Sequence, residues 1–154
     1  MGDYIKELRK RIGNMTVVLP HSVVLVFNSK NQILIEERAD DGFLDFPGGG
    51  IDPKESAEEA ATRELKEETG LIANELEFFK LYSGEITHYT YFSGDEIYGL
   101  DAVYICRDYS GKLIPQLEEV KRLSFYDINN IPLEKLSPRN RQIIIDLNML
   151  INGR

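Results

Sequence analysis

The sequence lacks the features that mark secreted and membrane-spanning proteins. It has one cysteine, Cys106, so no internal disulfide can form and a reducing compartment is expected. Its longest uninterrupted apolar run, VVLVF at 23–27, is far shorter than the roughly 20 residues needed to cross a bilayer. The first residues, MGDYIKELRKRIG, have no apolar core of the kind that a signal peptide contains. We therefore expect a cytoplasmic protein that has no membrane partner.

Positive charge is scarce where the acidic residues are concentrated. The chain has 18 Lys and Arg residues against 26 Asp and Glu residues, which gives a net charge of −8. Residues 40–70 contain ten acids and three bases, a balance of −7, so this segment carries nearly all of the excess. A nucleic acid would be repelled by such a segment, whereas a divalent cation would be attracted to it. We therefore expect no nucleic-acid partner.

No internal repeat, low-complexity tract or linker divides the chain. Of its 154 residues, 42% are apolar and 29% are charged, a composition typical of a globular domain. A domain of this length buries about two thirds of the surface that its unfolded chain exposes. We therefore expect a single domain over 1–154, with a leading helix in 1–14 and a closing helix over 137–153.

Runs of β-branched and aromatic residues predict strands between these helices. We expect strands at 17–27, 32–37, 43–46, 75–83, 86–92, 97–106 and 120–126. The turn residues NSKN separate the first two runs, which predicts a hairpin. A further helix is expected over 57–69, because Ser56 and Glu59 have the spacing of a capping box and Gly70 stands where a helix ends. This order of elements predicts an α+β fold, a mixed sheet with helices on its faces.

The helix over 57–69 has its acids on the same side as its small apolar residues. At 100° per residue, one face carries Ala57, Ala60, Ala61, Glu64, Glu67 and Glu68. A solvated face is the alternative explanation for clustered acids, but it would place them opposite the apolar stripe. We therefore expect these acids to point into a cleft. Carboxylates removed from water must be paired or bound to a metal.

Two neighbouring features support a metal site on this face. Arg63 lies about 40° from Glu67 around the helix and can form a bidentate pair with Glu55 or Glu67, which would fix a carboxylate in place. The glycine run at 48–50 lets a backbone carbonyl approach a ligand closely. An exposed arginine and a tight turn are the alternative explanations of the two features.

Residues 49–71, GGIDPKESAEEAATRELKEETGL, resemble the Nudix box, Gx5Ex7REUxEExGU with U aliphatic. Every defined position matches, at Gly49, Glu55, Arg63, Glu64, Leu65, Glu67, Glu68, Gly70 and Leu71. The resemblance implies the Nudix fold, an α/β/α sandwich in which a loop-helix-loop box beside a mixed β-sheet holds divalent cations. Members of this family characteristically hydrolyse a nucleoside diphosphate that is linked to another moiety.

The resemblance also implies roles by motif position. The cation, Mg²⁺ or Mn²⁺, would be held by the three helix acids Glu64, Glu67 and Glu68. A carbonyl of Gly48 or Gly49 would add a ligand. Glu55 and Arg63 would support the site through a salt bridge.

Residues outside the box are candidates for the remaining roles. Members of the family commonly take part of their base function from an acid in a later loop, and Glu118 and Glu119 are our candidates for this base. Phe46, Tyr89 and Tyr91 can stack on a nucleobase, although packing in the core is the alternative. Tyr89 falls 18 residues after the box, near the position of a tyrosine that marks dinucleoside polyphosphate hydrolases.

Three functions are consistent with this resemblance. The first is hydrolysis of a nucleotide sugar, ADP-ribose or a dinucleoside polyphosphate. The second is a MutT-like house-cleaning enzyme that releases pyrophosphate from nucleoside triphosphates. The third is a non-catalytic, nucleotide-binding regulatory module, which the intact box disfavours. The acidic balance disfavours an RNA-decapping role, and analogy with the family suggests a homodimer.

Overall fold

The computed structural model describes residues 3–91 and 93–153. This part of the chain contains two β-sheets and three α-helices. The helices are α1 (Asp3–Ile12), α2 (Ala57–Thr69) and α3 (Pro138–Ile151). The strands are β1 (Val17–Val26), β2 (Ile33–Arg38), β3 (Leu44–Asp45), β4 (Gly48–Gly50), β5 (Leu71–Tyr82), β6 (His88–Thr90), β7 (Glu96–Gly111) and β8 (Val120–Tyr126). The parts of the predicted segments 1–14 and 86–92 that fall on residues 1, 2 and 92 lie outside the described residues.

The larger sheet is mixed, as the order of elements predicts. Its strand order is β4-β1-β7-β5, and β6 pairs with the first residues of β7. Strands β1 and β7 run parallel, from Val17 opposite Ile97 to Val26 opposite Cys106. The other pairs in this sheet are antiparallel. A second sheet, antiparallel with the order β3-β2-β8, was not predicted.

The predicted hairpin between β1 and β2 is wrong. The turn itself forms, because the side-chain oxygen of Asn28 accepts hydrogen bonds from the backbone of Lys30 and Gln32. Within the described residues, however, a single bridge between Phe27 and Ile33 joins the two segments. Beyond it, β1 enters the larger sheet and β2 the smaller one. The end of β1 and the start of β2 are apolar and buried on both faces, which agrees with the position of each as an inner strand of its own sheet.

Strand β1 separates two apolar cores. Val23 and Leu25 face a core that includes Ile143 of α3. Val24 faces a core that includes Leu65 of α2. Helices therefore cover both sides of the mixed sheet, which confirms the predicted α+β sandwich. None of the helices in the described part of the chain is long and apolar enough to span a membrane.

The main differences from the predicted elements lie at their ends. Strand β5 begins directly after α2, at Leu71, and β7 continues to Gly111, five residues past the predicted end at 106. The residues predicted as a strand from 86 include a short 3-10 turn at Glu85–Thr87, which precedes β6. Cys106 is fully buried, and burial raises the pKa of its thiol to about 11.

Candidate functional site

Helix α2 is held at both ends by the residues that its sequence pattern predicts. Ser56 Oγ accepts a hydrogen bond from the backbone N–H of Glu59 at 3.0 Å. Gly70 adopts φ +79°, and its N–H donates to the carbonyl of Lys66. Any side chain at position 70 would be strained at this φ, and its Cβ would lie 2.5 Å from the carbonyl oxygen of Lys112. Glycine is therefore required where α2 turns into β5.

The three acids of α2 differ in their exposure. Glu68 is 6% exposed, and the side chain of Glu64 is 16% exposed. The side chain of Glu67 is 55% exposed. The helical face therefore turns Glu64 and Glu68 toward the body of the protein and leaves Glu67 at the rim. Burial raises the pKa of Glu64 above its usual range.

Arg63 connects the acids of α2 to the loop that precedes the helix. It forms two hydrogen bonds with Glu55, from Nε at 2.7 Å and from Nη2 at 2.9 Å. Its Nη1 donates to Glu64 at 2.8 Å and, more weakly, to Glu67 at 3.5 Å. Its Nη2 also donates to the carbonyl of Gly50. The hydrogen bond from Arg63 holds the pKa of Glu55 below its usual range.

The glycine run forms strand β4, which passes directly against these acids. A Cβ on Gly49 would lie 2.5 Å from the carboxylate of Glu64, and a Cβ on Gly48 would overlap the carbonyl oxygen of Ser22. The N–H of Gly48 donates to Glu68 Oε1 at 3.3 Å. The first two glycines are therefore needed for close approach, whereas the tight turn considered as an alternative is instead a strand paired with β1.

A further buried carboxylate, Glu36 on β2, was missed by sequence reasoning. Glu36 is 4% exposed and lies within hydrogen-bonding reach of Glu68. In the register of the smaller sheet it is opposite Asp45. Burial raises the pKa of Glu36 to about 8, and burial together with Glu36 raises the pKa of Glu68 far above its usual range. The sequence signal that could have identified Glu36 is its position inside a strand, directly after the apolar run at 33–35.

The aromatic candidates lie in different environments. Phe46 is 2% exposed and packs in the core beside α3, so its ring is not open to a base. Tyr89 and Tyr91 are half-buried and pack edge to face, with ring centroids 4.9 Å apart. Arg38 Nη2 donates to Tyr89 Oη at 3.2 Å and also bonds Asp40. Sequence reasoning missed Arg38, a cation at the end of the strand that carries Glu36.

The two candidates for the base are both exposed, and they differ in position. Glu119 lies near enough to Glu36 for its charge to contribute to the raised pKa of Glu36. Its carbonyl accepts a hydrogen bond from the N–H of Ala39, which follows β2. No such link to the buried acids is found for Glu118 in the described residues. Of the two, Glu119 is therefore the one that the fold brings toward the acids.

A second polar network, which the sequence did not predict, joins α3 to both sheets. Arg139 Nη1 donates to Asp101 at 2.9 Å, and its Nη2 donates to Asp45 at 3.2 Å. Asn140 donates to the same oxygen of Asp45 at 2.9 Å. His21 Nδ1 lies 3.1 Å from Asp101 Oδ1. Through Asp45, this network adjoins the strand position of Glu36.

The side chains of this site fit a hard divalent cation. Across residues 3–91 and 93–153, no three His, Cys, Asp or Glu side chains already form a group that could hold a metal. Mg²⁺, however, commonly binds through one or two carboxylates and retains several waters. The carboxylates of Glu64, Glu68 and Glu36 supply only oxygen donors, and Glu36 Oε1 is buried with no hydrogen-bond partner within the described structure. This oxygen is therefore available to bind a cation, which would act as its missing partner.

Comparisons with known proteins identify the family. The model of the NUDIX domain matches residues 19–147. An ADP-ribose pyrophosphatase of Methanocaldococcus jannaschii is 30% identical over 131 residues, covering 83% of this chain and 72% of that protein. A Bacillus subtilis (strain 168) protein, provisionally assigned as an 8-oxo-dGTP diphosphatase, is 57% identical over 50 residues, or 32% of this chain. That match spans about a third, 34%, of the length of the Bacillus protein.

The fold agrees with this family match. The crystal structure of a MutT NUDIX hydrolase from Burkholderia pseudomallei superposes with a TM-score of 0.70, at 20% identity. The superposition covers 84% of this chain and 97% of that one. The family model spans most of the chain, and the acids, arginine and glycines of the box lie together around α2. The chain belongs to the Nudix hydrolase family.

Proposed function

We propose that this Nudix hydrolase uses Mg²⁺ or Mn²⁺ to cleave the pyrophosphate link of a small nucleoside diphosphate derivative. The candidates are ADP-ribose, a nucleotide sugar and a dinucleoside polyphosphate. The proposal depends on one observation, the packing of half-buried Glu64 and buried Glu68 against β4 with Glu64 held by Arg63. Among the relatives compared, the ADP-ribose pyrophosphatase of Methanocaldococcus jannaschii aligns over most of this chain, which favours ADP-ribose as the first substrate to test.

The acidic cleft and a diphosphate would repel each other without a cation between them. A divalent ion, when bound, would neutralise this repulsion and supply electrostatic stabilisation of the leaving phosphate. Within the chain, Arg63 orients Glu64, and β4 excludes a side chain from the space beside that carboxylate. Glu64 is then placed to orient a water and accept its proton, and Glu119 is the alternative base.

In the proposed reaction, the oxygen of water forms a bond to one phosphorus atom of the diphosphate. The P–O–P bond breaks, and the bridging oxygen leaves with the other phosphate. The carboxylate base takes the proton that the water loses. The products are a nucleoside monophosphate and a phosphorylated second moiety.

A substrate panel tests this proposal. ADP-ribose, a nucleotide sugar, a diadenosine polyphosphate and a modified nucleoside triphosphate are incubated with Mg²⁺ or Mn²⁺, and the products are resolved by chromatography. We expect metal-dependent formation of a nucleoside monophosphate from one of the first three compounds. The absence of turnover of the first three compounds with both metals would contradict the proposal, and turnover of the triphosphate alone would support the second candidate.

The second candidate is a MutT-like enzyme that hydrolyses modified nucleoside triphosphates. It is supported by the 57% identity to the Bacillus subtilis protein. That match covers 50 residues, which are 32% of this chain and 34% of that protein. Release of pyrophosphate with the nucleoside monophosphate distinguishes this reaction, because the first reaction releases a phosphorylated second moiety instead. A non-catalytic module has less support, because every defined position of the box is filled.

The remaining assignments also belong to this proposal. We propose a small-molecule substrate rather than a nucleic acid, because residues 40–70 carry a balance of −7, ten acids against three bases. A cytoplasmic location and a homodimer remain predictions. Fractionation of cells that express the native protein, and its mass in solution by light scattering, test the two.

A further inference from the structure

Among the buried side chains of the described residues, Glu36 is the one that has an oxygen without a hydrogen-bond partner. It lies outside the Nudix box, in the smaller sheet, and is 4% exposed. Its Oε1 has no hydrogen-bond partner, and it is the single such side-chain atom found in the described residues. A buried polar atom without a partner loses the hydrogen bonds it would make to water. Something other than the described side chains must therefore compensate this oxygen.

The groups around Glu36 do not provide this compensation. Asp45 and Glu119 are acidic neighbours whose charges disfavour an ionised Glu36, and Glu68 lies within hydrogen-bonding reach of it. Arg38 is close enough to favour the charged form of Glu36, but its Nε and Nη2 donate to Asp40. Glu36 and Glu68 can bond to each other only through a shared proton, and Glu36 Oε1 still has no partner in the described residues. A positive charge between the two carboxylates would compensate the oxygen that has no partner.

The position of Glu36 is suitable for such a cation. Glu68 comes from α2, on the larger sheet, whereas Glu36 comes from the central strand of the smaller sheet. Glu68 Oε1 is already fixed by the N–H of Gly48. A cation between the two carboxylates would therefore receive oxygens from α2 and from the smaller sheet, at the end of the acidic face that Glu64 and Glu67 continue.

We propose that Glu36 is a metal ligand contributed by the smaller sheet, which binds a divalent cation together with Glu68. This inference rests on the proposed metal-dependent function and extends its ligand set beyond the box. Two carboxylates with retained waters are a sufficient protein contribution for Mg²⁺ or Mn²⁺. Because one ligand comes from α2 and the other from the smaller sheet, metal binding also links these two elements, and it should stabilise the folded protein.

The test compares Mn²⁺ binding by the wild-type protein and by Glu36→Gln and Glu37→Gln variants, without nucleotide. Glu37 is the matched control, since it is the next residue on β2 and its carboxylate pairs with Lys121 and Arg122 instead. Free Mn²⁺ is measured by electron paramagnetic resonance, and the Mn²⁺-dependent rise in melting temperature is measured in parallel. We expect Glu36→Gln to bind Mn²⁺ roughly tenfold more weakly or worse and to lose most of the rise. Glu37→Gln should behave as the wild type.

The same variants exclude a purely structural role. In EDTA, Glu36→Gln should melt at the wild-type temperature or above it, because a neutral amide replaces a buried carboxyl group whose ionised form is disfavoured at this site. A lower melting temperature in EDTA would show that the carboxylate has a structural partner, and it would overturn the proposal. Unchanged Mn²⁺ binding by a folded Glu36→Gln variant would also overturn it, and would point to a shared proton between Glu36 and Glu68.

Failure of this inference can be separated from failure of the proposed function. If the wild-type protein takes up no Mn²⁺ and hydrolyses none of the panel, the metal-dependent function itself is wrong. If the wild-type protein binds Mn²⁺ and turns over substrate while Glu36→Gln binds Mn²⁺ equally well, only the role of Glu36 is wrong.

Discussion

Arg63 and Glu55 are joined by two hydrogen bonds, of 2.7 and 2.9 Å, between α2 and the loop that precedes it. The pair holds the guanidinium plane in place, so that the remaining nitrogen, Nη1, points at Glu64 from 2.8 Å. The orientation of Glu64 therefore depends on an ion pair made with a residue outside the helix. A point charge at position 63 could not make the same three contacts, because only the planar fork of arginine presents its donors in this arrangement.

Replacing Arg63 by lysine should lower kcat/KM by roughly 10- to 100-fold, because the charge is kept while the orientation of the acids is lost. The measurement is steady-state hydrolysis of the best substrate with Mn²⁺. Lys66→Gln is the control, since Lys66 is an exposed cation on the same helix. Activity of Arg63→Lys within about twofold of the wild type would show that a charge alone is sufficient at this position.

Replacing Glu68 or Glu67 by glutamine should lower turnover by orders of magnitude while leaving the fold intact. Each change removes a charge that is proposed to face the metal and the diphosphate. Burial raises the pKa of Glu68 far above its usual range, so replacing it by a neutral amide should also leave the free energy of unfolding unchanged or higher. Turnover is measured with saturating Mg²⁺, and unfolding is measured in urea. Near-normal turnover by either variant, with Glu59→Gln as the exposed control, would refute its assignment as a ligand.

Two glycines of β4 provide a matched pair of substitutions. A Cβ at Gly49 would lie 2.5 Å from the Glu64 carboxylate, whereas a Cβ at Gly50 would meet nothing within 4 Å. Gly49→Ala should therefore displace the carboxylate and lower kcat, and Gly50→Ala should leave it unchanged. Crystal structures of both variants, with their kcat values, test this difference. Equal kcat values for the two variants would mean that the space beside Glu64 is not used in the reaction.

The sequence predicted the helix of the site well because its signals are local. The capping pair Ser56 and Glu59, the helix end at Gly70, and the face shared by alanines and acids all depend on residues a few positions apart. From the same helical geometry, Arg63 was expected to pair with Glu55 or Glu67. The helix ends form where the pattern predicts them and Arg63 bonds to Glu55, whereas its hydrogen bond to the adjacent Glu64 was not predicted.

The parts of the site that were missed depend on distant pairing. Glu36 and Arg38 reach the acids through the smaller sheet, whose strands β2 and β8 are separated by about eighty residues of sequence. The prediction of a hairpin placed β2 in the wrong sheet, because turn chemistry at Asn28 determines a reversal but not the partners that follow it. Burial of Glu36 could not be inferred without that second sheet.

Asp101 should contribute to stability in a pH-dependent way. It is 2% exposed, and although burial by itself raises the pKa of Asp101, the hydrogen bond from His21 and the charge of Arg139 lower the pKa below its usual value. A carboxyl whose pKa is lower in the folded state stabilises the fold above its unfolded pKa, about 3.9, and loses this contribution as the pH falls through the folded pKa. Asp101→Asn should therefore lower the free energy of unfolding at pH 7 by about 1–3 kcal/mol.

Urea unfolding of the wild type and Asp101→Asn at pH 7, 5, 4 and 3 measures this contribution. The difference between the two proteins should be constant from pH 7 to pH 5 and should shrink below pH 4, where the wild-type carboxylate becomes protonated. Glu134→Gln, at an exposed position, should show no difference from the wild type at any of these values. A difference for Asp101→Asn that persists unchanged at pH 3 would mean that shape, and not charge, accounts for the role of Asp101. In that case the network that joins α3 to both sheets would not depend on the charge of Asp101.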